Sequence, residues 1–382
     1  MADVPDEITM IILSNLPVKS LLRFKCISKQ WGSWISCPKF QLSNQSQSGV
    51  IVDVLFCYKA PCSTTGKMNK RSIRFINQQL ASEEFSYPPM KRGRKQDCGL
   101  LGSCHGLILI NSDEHIYLWN PATRVCTKVL ELDDLDEAGY WTRGGLCFDS
   151  SKNVYKAVLI MYKNQDYSVE FVIVASLEDK QWRQLEFPYD IPSMSEGITM
   201  LGRLHYRVWG NDGSKLIYFD PISEKFHMFP VPEPKSNQEE IVIVGLGVLN
   251  ECLCIMTCLE HDKSAEILVM KEYGVKESWT SLFSIRNSEV KGSIADINYP
   301  YGFVILLFFV TENGELVLIY DYCGKDVAVY NPKNDNMREI VEEETRFILG
   351  AIVTYVESLI SPVEYCWSEE RHRMIENKWL LG

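Results

Sequence analysis

The stretch Leu118-Trp-Asn-Pro-Ala-Thr-Arg124 ends an apolar run with an Asx-Pro turn, and it recurs twice further along the chain. Tyr218-Phe-Asp-Pro-Ile-Ser223 and Val329-Tyr-Asn-Pro-Lys-Asn334 repeat the order of an aromatic residue, then Asn or Asp, then Pro. Because an Asx-Pro pair starts a turn, each copy predicts a strand, a turn and a second strand. The three copies indicate an internal repeat.

The spacing of these turns gives the length of the repeating unit. Pro121, Pro221 and Pro332 lie 100 and 111 residues apart. Two degenerate copies of the same hairpin, in residues 175–182 and 269–279, halve that spacing to about 50 residues, which is the length of a kelch-like propeller blade. The repeat therefore predicts a β-propeller-like domain of about six blades.

The residues around the turns have the composition of β-strands. From Ser48 onward, short runs rich in Val, Ile, Phe, Tyr and Leu end at Gly, Asn, Asp or Pro. Sheet edges on this scale must be paired or covered, and a radial arrangement achieves this by closing on itself. We expect residues 347–359 to close the ring, and a pair of β-sandwiches is the alternative architecture. The clearest strands are predicted at residues 107–110, 155–162, 169–174, 215–219 and 315–320.

The first forty residues have the period of a helix instead. Pro5 fits the first turn of a helix, and Ile8, Ile12 and Leu16 recur at helical spacing. Pro17 ends this helix. The remaining apolar sets predict two more short helices, so the chain begins with a module of three. These sets are Val18, Leu21 and Leu22, followed by Ile27, Trp31, Trp34 and Ile35, with a stop at residues 37–38.

This helical module has more apolar surface than it can bury. A unit of about forty residues covers only a small part of its own surface and is rarely stable alone. Each Leu or Ile that becomes covered contributes about 1.5–3 kcal/mol, so docking several of them would give substantial affinity. The surplus indicates a partner protein, and a helical cap that packs only on the rest of its own chain is the alternative.

Composition and charge exclude several classes of protein. The longest apolar run, residues 303–310, has the length of a strand and not of a transmembrane helix. The acidic N-terminus lacks the pattern of a signal peptide, so we expect a cytosolic or nuclear protein whose 13 cysteines are reduced and mostly buried. The net charge of −11 disfavours nucleic acid and membranes as partners.

We interpret the basic run Met90-Lys-Arg-Gly-Arg-Lys95 as a solvated loop, with a nuclear-import signal or a phosphate contact as alternatives.

No catalytic, metal or cofactor site can be assembled from the sequence. It contains no HExxH, P-loop, dinucleotide Gly fingerprint or Gly-x-Ser-x-Gly motif, and its six histidines are scattered. The nearest metal candidate is Cys252, Cys254, Cys258 and His261, but this spacing departs from zinc-site patterns. Its alternation instead predicts a strand with thiols facing an apolar core. We therefore predict no catalytic, cofactor-binding or metal-binding residues and no cofactor.

The N-terminal residues resemble the F-box of plant proteins. The resemblance is dense and ordered, with Val4 in the place where that family usually has Leu. It implies docking on the Skp-type adaptor of a cullin-based ubiquitin ligase. The segments that carry it are Val4-Pro-Asp-Glu-Ile8, Ile12-Leu13, Leu16-Pro-Val-Lys-Ser-Leu21, Arg23-Phe-Lys-Cys26, Ser28-Lys29 and Trp31.

The apolar spacing and the resemblance together give a set of adaptor-binding candidates. Some of them must lie inside the module and support the contact without making it. Trp34 and Ile35 are expected to join the module to the β domain. The candidates are Val4, Pro5, Ile8, Ile12, Leu13, Leu16, Pro17, Val18, Leu21, Leu22 and Trp31.

The rest of the chain resembles the plant F-box-associated interaction domain, a kelch-like domain that captures target proteins. Its motifs mark the framework of the blades, and His105 stands where that family commonly has Asn. The matching segments are Gly102-Ser-Cys-His-Gly-Leu107, Leu118-Trp-Asn-Pro121, Phe148-Asp-Ser150, Tyr155-Lys156, Gly202-Arg-Leu-His205, Tyr218-Phe-Asp220, Leu246-Gly-Val-Leu249, residues 269–279 and Tyr355-Val-Glu-Ser-Leu359.

Residues and resemblance together predict a non-catalytic substrate receptor of a Skp–cullin–F-box ubiquitin ligase. Residues 1–44 would bind the adaptor and, through it, cullin, and residues 45–382 would hold an unidentified target protein. The alternatives are a propeller-type enzyme or small-ligand binder with a helical cap, and an adaptor-bound scaffold that causes no degradation. The target-binding residues are unknown, and we expect target contacts from inter-strand loops. The loops considered are residues 81–89, 163–167, 189–197 and 233–240.

Overall fold

Four short helices come first in the chain, and strands make up most of the remaining described residues. The computed structural model describes residues 4–43, 48–57, 68–77, 82–85, 88, 98–112, 115–131, 141–162, 169–178, 181–189, 193–195, 197–210, 213–233, 241–259, 265–285, 305–311, 313–321, 325–339 and 346–363. The helices in these ranges are α1 (Asp6–Ser14), α2 (Val18–Phe24), α3 (Lys29–Ile35) and α4 (Pro38–Ser43), with a 3-10 turn at Lys276–Ser278.

The helix ends are set by local chemistry. The carbonyl of Pro5 accepts a hydrogen bond from the Thr9 amide at 3.0 Å and so starts α1. The hydroxyl of Ser28 accepts one from the Trp31 amide at 3.1 Å and caps α3. The sequence predicted three helices and a stop at residues 37–38, and the count was wrong by one. Pro38 opens a fourth helix, since proline is well suited to the first helical position.

The described strands form four hydrogen-bonded sheets, and the twelve-stranded one divides into three sets of four, so that six sets make up the blades of a ring. Blade 1 contains β4 (Cys98–Cys104), β5 (Leu107–Ser112), β6 (His115–Asn120) and β7 (Val125–Glu131), and blade 2 contains β8 (Trp141–Asp149), β9 (Val154–Tyr162), β10 (Val169–Ser176) and β11 (Gln181–Leu185). Blade 3 contains β12 (Ser193–Met194), β13 (Ile198–Met200), β14 (Arg203–Gly210), β15 (Gly213–Asp220) and β16 (Lys225–Phe229). Blade 4 contains β17 (Ile241–Leu249), β18 (Cys252–Leu259), β19 (Ala265–Met270) and β20 (Trp279–Ile285), and blade 5 contains β21 (Ile305–Val310), β22 (Leu316–Asp321), β23 (Lys325–Asn331) and β24 (Asn336–Glu339).

Blade 6 closes the ring by joining the two ends of the β domain. It contains β25 (Arg346–Val356) together with β1 (Ser48–Cys57), β2 (Met68–Asn77) and β3 (Ser82–Phe85). β25 pairs antiparallel with β1, from Ser48 opposite Val356 to Cys57 opposite Arg346. Blades 4 and 5 meet through parallel pairing of their first strands, β17 and β21. The structure thus confirms the propeller-like fold and the closing role of the last strand set.

The repeated Asx-Pro turns occupy one position in the blade. In blade 3, β12 and β13 both pair with β14 and together take the place of the first strand. On that count each Asx-Pro turn connects the third and fourth strands, in blades 1, 3 and 5, and the two degenerate copies do the same in blades 2 and 4. Each Asx-Pro turn ends in a residue with left-handed backbone: Arg124 at φ 59°, Glu224 at φ 53° and Asp335 at φ 52°. That residue lets the chain reverse tightly into the fourth strand.

The apolar cores lie between neighbouring blades. β9 is buried along its whole length, with Tyr155, Ala157 and Leu159 facing the core shared by blades 1 and 2. Val158 and Ile160 point the other way, into the core shared by blades 2 and 3. Side chains alternate across a strand, so a strand placed between two cores is apolar on both faces.

Antiparallel pairing within the blades gives the ring two different faces. The turns between first and second strands and between third and fourth strands lie at one edge. Ala122, in such a turn, packs against the apolar core of the helices. We call this edge the helix face and the opposite edge, where β9 ends and β10 begins, the far face.

Candidate functional site

The four helices enclose a small core that the β domain completes. Leu13, Val18, Leu21 and Ile35 are fully buried there, and Phe40 is 5% exposed. Leu359, which comes after the closing strand β25, belongs to the same cluster and is 2% exposed. The helical module therefore shares its core with a residue more than three hundred positions away in the chain.

The adaptor-binding candidates from the sequence divide into three groups by exposure. Leu13, Val18 and Leu21 are internal, so they support the module and cannot contact a partner directly. A second group, Leu16, Leu22 and Trp31, is partly buried against the core. The exposed candidates are Val4, Pro5, Ile8, Ile12 and Pro17.

The exposed candidates on α1 belong to a larger apolar surface. Val4, Ile8 and Ile12 are 48–56% exposed, and Ile11 and Ile27 are 59% and 60% exposed. Ile11 and Ile27 were not among the candidates from the sequence, although Ile11 lies three positions after Ile8 and so shares its side of the helix. Five aliphatic side chains in solvent on a module this small are the pattern of a docking surface.

Two contacts join α3 to the helices before it, one to α1 and one to α2. The side-chain amide of Gln30, at the start of α3, donates a hydrogen bond to a carboxylate oxygen of Asp6 at 3.1 Å. The rings of Phe24 and Trp31 pack with centroids 5.6 Å apart. Trp34 lies partly buried against the same core and Ile35 lies within it, which is the core that also holds Leu359.

Residues 357–360 attach the helices to the ring. The side-chain amide of Asn120, which is fully buried, donates hydrogen bonds to the carbonyls of Ser358 at 3.0 Å and Ile360 at 2.7 Å. Leu359 points into the helical core, whereas Ile360 belongs to the core between blades 1 and 2. Gly106 makes room for this segment, because a side chain there would collide with Val356 and Ser358. The sequence marked residues 355–359 as part of the family resemblance but did not predict the bridge, since its contacts join residues far apart in the chain.

A buried ion-pair network joins blades 2 and 3. The Lys156 ammonium lies 2.9 Å from Asp149 and 2.7 Å from Glu224, and it also donates to the carbonyl of Pro221. Hydrogen bonds from Ser151 and Lys156 offset the burial of Asp149, and its carboxyl pKa lies below the usual value. A charged group so enclosed by opposite charges is a structural tie, since removing one partner would leave a buried charge unpaired.

The buried histidines and thiols are held in their neutral forms. Burial lowers the pKa of His105 and of His205 to about 4, and each ring is hydrogen bonded to a tyrosine hydroxyl, from Tyr155 and Tyr273 respectively. Burial also raises the pKa of the Cys258 thiol to about 12. Neutral imidazoles and thiols that hydrogen bond or pack internally act in folding rather than in proton transfer.

The cysteine-rich strand β18 has the arrangement predicted for it. Cys254, Met256 and Cys258 point into the core between blades 4 and 5, while Leu253 and Ile255 face the core on the other side. No group of metal-binding side chains occurs among the described residues. His261 lies outside them, as does the basic run at residues 90–95.

The loops considered for target contacts lie mostly outside the described residues. Of residues 81–89, 163–167, 189–197 and 233–240, the structure describes only 82–85, 88, 189, 193–195, 197 and 233. The strands that flank these loops, such as β9 and β10, end at the far face. No helix in the described part of the chain is both long and apolar enough to cross a membrane.

Comparison with known proteins matches both parts of the chain. The model of the F-box domain matches residues 1–42, and that of the F-box associated beta propeller domain matches residues 58–362. An F-box/kelch-repeat protein of Arabidopsis thaliana is 26% identical over 385 residues, which cover 94% of this chain and 96% of that protein. The F-box protein CPR1 of the same plant is 28% identical over 327 residues, covering 75% of this chain and 74% of that one.

Solved structures similar to this chain include a nidogen/laminin complex, at 14% identity and a TM-score of 0.44, covering 81% of this chain and all of that one. The Dos1 propeller matches at 9% identity and a TM-score of 0.38, covering 76% of each chain.

The family matches extend over both the helices and the ring. This chain is a plant F-box protein of the family with an F-box associated β-propeller domain.

Proposed function

We propose that this protein is the substrate receptor of a Skp–cullin–F-box ubiquitin ligase, acting in the cytosol or nucleus. In this proposal residues 1–44 bind the Skp-type adaptor and, through it, cullin. Residues 45–382 hold a target protein for ubiquitination by the other subunits, and the chain performs no chemistry itself.

One observation carries the proposal: α1 presents isoleucines to solvent on a module whose core is already complete. Ile8 and Ile12 are 48% and 53% exposed, while Leu13, one position further, is fully buried. Covering an Ile contributes about 1.5–3 kcal/mol, so leaving them exposed in the free chain is costly unless a partner covers them. Val4, Pro5, Ile8, Ile12 and Pro17 are the direct contacts in this proposal, and Leu13, Val18 and Leu21 are the core that supports them.

The test replaces the exposed residues and leaves the core intact. Ile8→Asp combined with Ile12→Asp should weaken binding to a Skp-type adaptor at least about hundredfold, since two apolar contacts are lost and two charges are buried. Titration calorimetry with purified adaptor measures the loss. Substitution of Leu21 is less informative, because that side chain is fully buried and its removal would unfold the module.

Ile222→Asp is the matched control. Ile222 is 50% exposed in the β15–β16 turn of blade 3, so the same chemical change is made at equal exposure outside the helices. It should leave adaptor binding within about twofold of the original value. Equal affinity of the double variant and the control would contradict the proposal.

The target is proposed to bind at the far face. The helices lie against the opposite edge, where Ala122 and Leu359 meet their core. An adaptor bound to α1 would therefore leave the far face open. Loops at that face join strands of a rigid ring, and binding residues commonly lie on such loops.

A further inference from the structure

Two arginines near the far face have no acidic partner among the described residues. Arg143 lies on β8, the first strand of blade 2, and Arg207 lies on β14 of blade 3. The Met194–Ser195 segment runs between them. The carbonyl of Met194 accepts a hydrogen bond from the Arg143 guanidinium. The backbone amide of Arg207 donates a hydrogen bond to the Ser195 hydroxyl at 3.0 Å.

Arg207 is almost completely buried but only partly hydrogen bonded. The residue is 7% exposed, and within the described chain its guanidinium donates from Nη1 to the carbonyl of Ile243 at 3.2 Å. Its Nε has no hydrogen-bond partner in the described part of the protein. Buried guanidinium groups are normally paired with carboxylates or phosphates, because an unpaired buried charge is strongly unfavourable.

Arg143 and Arg207 place two positive charges near each other in a chain whose net charge is −11. Burial first, and the nearby Arg143 charge second, lower the pKa of Arg207 to about 10. The group stays protonated at neutral pH, so the two cations repel each other. An anion between them would remove that repulsion.

A neutral donor, the Tyr162 hydroxyl, lies on the strand next to Arg143. The guanidinium carbon of Arg143 lies 6.0 Å from the centre of the Tyr162 ring, and the buried Tyr162 hydroxyl has no hydrogen-bond partner among the described residues. Tyr162 ends β9 and Ile243 lies near the start of β17, so both mark the far half of the ring. The cluster is therefore close to the face at which the target is proposed to bind.

We propose that Arg143 and Arg207 form a binding site for a phosphate monoester, with the Tyr162 hydroxyl as a further donor. Two positive charges match a phosphate dianion better than they match a single carboxylate, and guanidinium groups bind phosphate oxygens in a bidentate manner. This part of the proposal rests on the receptor function proposed above: the phosphate is one carried by a side chain of the target protein.

The first test uses inorganic phosphate as the probe. The full chain should bind phosphate saturably in titration calorimetry at constant ionic strength, and it should bind acetate at least about tenfold more weakly. Arg207→Met should reduce phosphate affinity by about tenfold or more. Because Met removes a buried charge that has no acidic partner within the described ranges and keeps the apolar length, the melting temperature of the phosphate-free variant should equal or exceed that of the original chain.

Arg124→Gln is the matched control, since Arg124 is exposed in the β6–β7 turn on the helix face. It should leave phosphate affinity within about twofold of the original. The proposal is overturned if the unmodified chain does not bind phosphate saturably, or if Arg207→Met and Arg143→Gln both retain full affinity.

A second measurement identifies the source of the phosphate. Tighter binding of N-acetyl-phosphoserine amide than of glycerol 3-phosphate would support a phosphorylated protein, and the reverse order would overturn that part of the proposal. Adaptor binding is measured on the same samples. An original chain that binds adaptor but not phosphate refutes the site alone, whereas an original chain that binds phosphate but not adaptor refutes the receptor function alone.

Discussion

The surroundings of His105 explain both its backbone conformation and the loss of stability at low pH that it causes. It lies in the turn between β4 and β5 with φ 49°, a left-handed conformation in which Asn is several-fold enriched. Its ring packs against Phe148 at 5.0 Å between centroids, and its Nδ1 lies 3.1 Å from the Tyr155 hydroxyl. An Asn here would suit the same backbone conformation without a titratable ring.

The pH dependence of stability should reflect this histidine. Its folded pKa of about 4 lies below the ordinary value of 6.5, so the unfolded chain binds more protons between these values. Stability should therefore fall as the pH falls from 6.5 towards 4. His105→Asn should remove about 1–2 kcal/mol of the loss between pH 7 and pH 5, measured by urea unfolding at each pH.

Burial lowers the pKa of His205 to the same extent, and His205 remains in the variant. The dependence of unfolding free energy on pH should therefore become shallower without vanishing. Comparison at pH 8, where both rings are neutral, separates the packing change from the titration. An unchanged difference in unfolding free energy between pH 8 and pH 5 would mean that His105 is protonated in the folded protein.

Residues 357–360 act as one element although they form neither helix nor strand. Leu359 and Ile360 point into two different cores, and Asn120 fixes the backbone between them. Neighbouring residues with opposite directions are natural for extended backbone, where side chains alternate. The element therefore holds the helices and the ring in one orientation.

Leu359→Ala should loosen the helices selectively. The cavity it leaves in the helical core should cost about 2–5 kcal/mol, and adaptor binding should weaken in proportion to the unfolded fraction of the module. Hydrogen exchange of α1, α2 and α3 should become faster, while exchange of β5 and β9 stays slow.

Ile360→Ala is the control for this prediction. It removes the same kind of side chain from the core between blades 1 and 2, so its effect should appear in the strands. The shared-core interpretation would be wrong if the two variants produced the same exchange pattern.

At the scale of the whole molecule, the ring depends on strands from both ends of the β domain. β25 is the inner strand of blade 6 and pairs with β1 over its length. Val353 and Tyr355 on β25 also contribute to the core between blades 6 and 1. Without β25, β1 would present an unpaired edge and that core would lose one wall.

A chain that ends at residue 345 should accordingly lose its cooperative thermal transition and self-associate. A chain that ends at residue 363 keeps β25 and the bridge, and it should melt as the full chain does. Differential scanning calorimetry and gel filtration measure both. Cooperative melting of the shorter chain at an unchanged temperature would show that five blades suffice.

The strands, turns and first three helices could be read from the sequence because they depend on local patterns. Alternation, Asx-Pro turns and helical spacing each act over a few residues, and the hairpin spacing predicted about six blades. The sequence could not fully separate the exposed adaptor-binding candidates from the buried ones, since Ile12 and Leu13 are both aliphatic and adjacent. Packing alone decides that the first is exposed and the second is buried.

The sequence by itself determined the repeating blades and the presence of a helical N-terminal module. The tertiary structure alone decided that Leu359 completes the helical core, that Asn120 holds the bridge, and that Arg207 is buried without an acidic partner among the described residues. These contacts join positions far apart in the chain. Their partners are chosen by ring closure and packing, which no local period encodes.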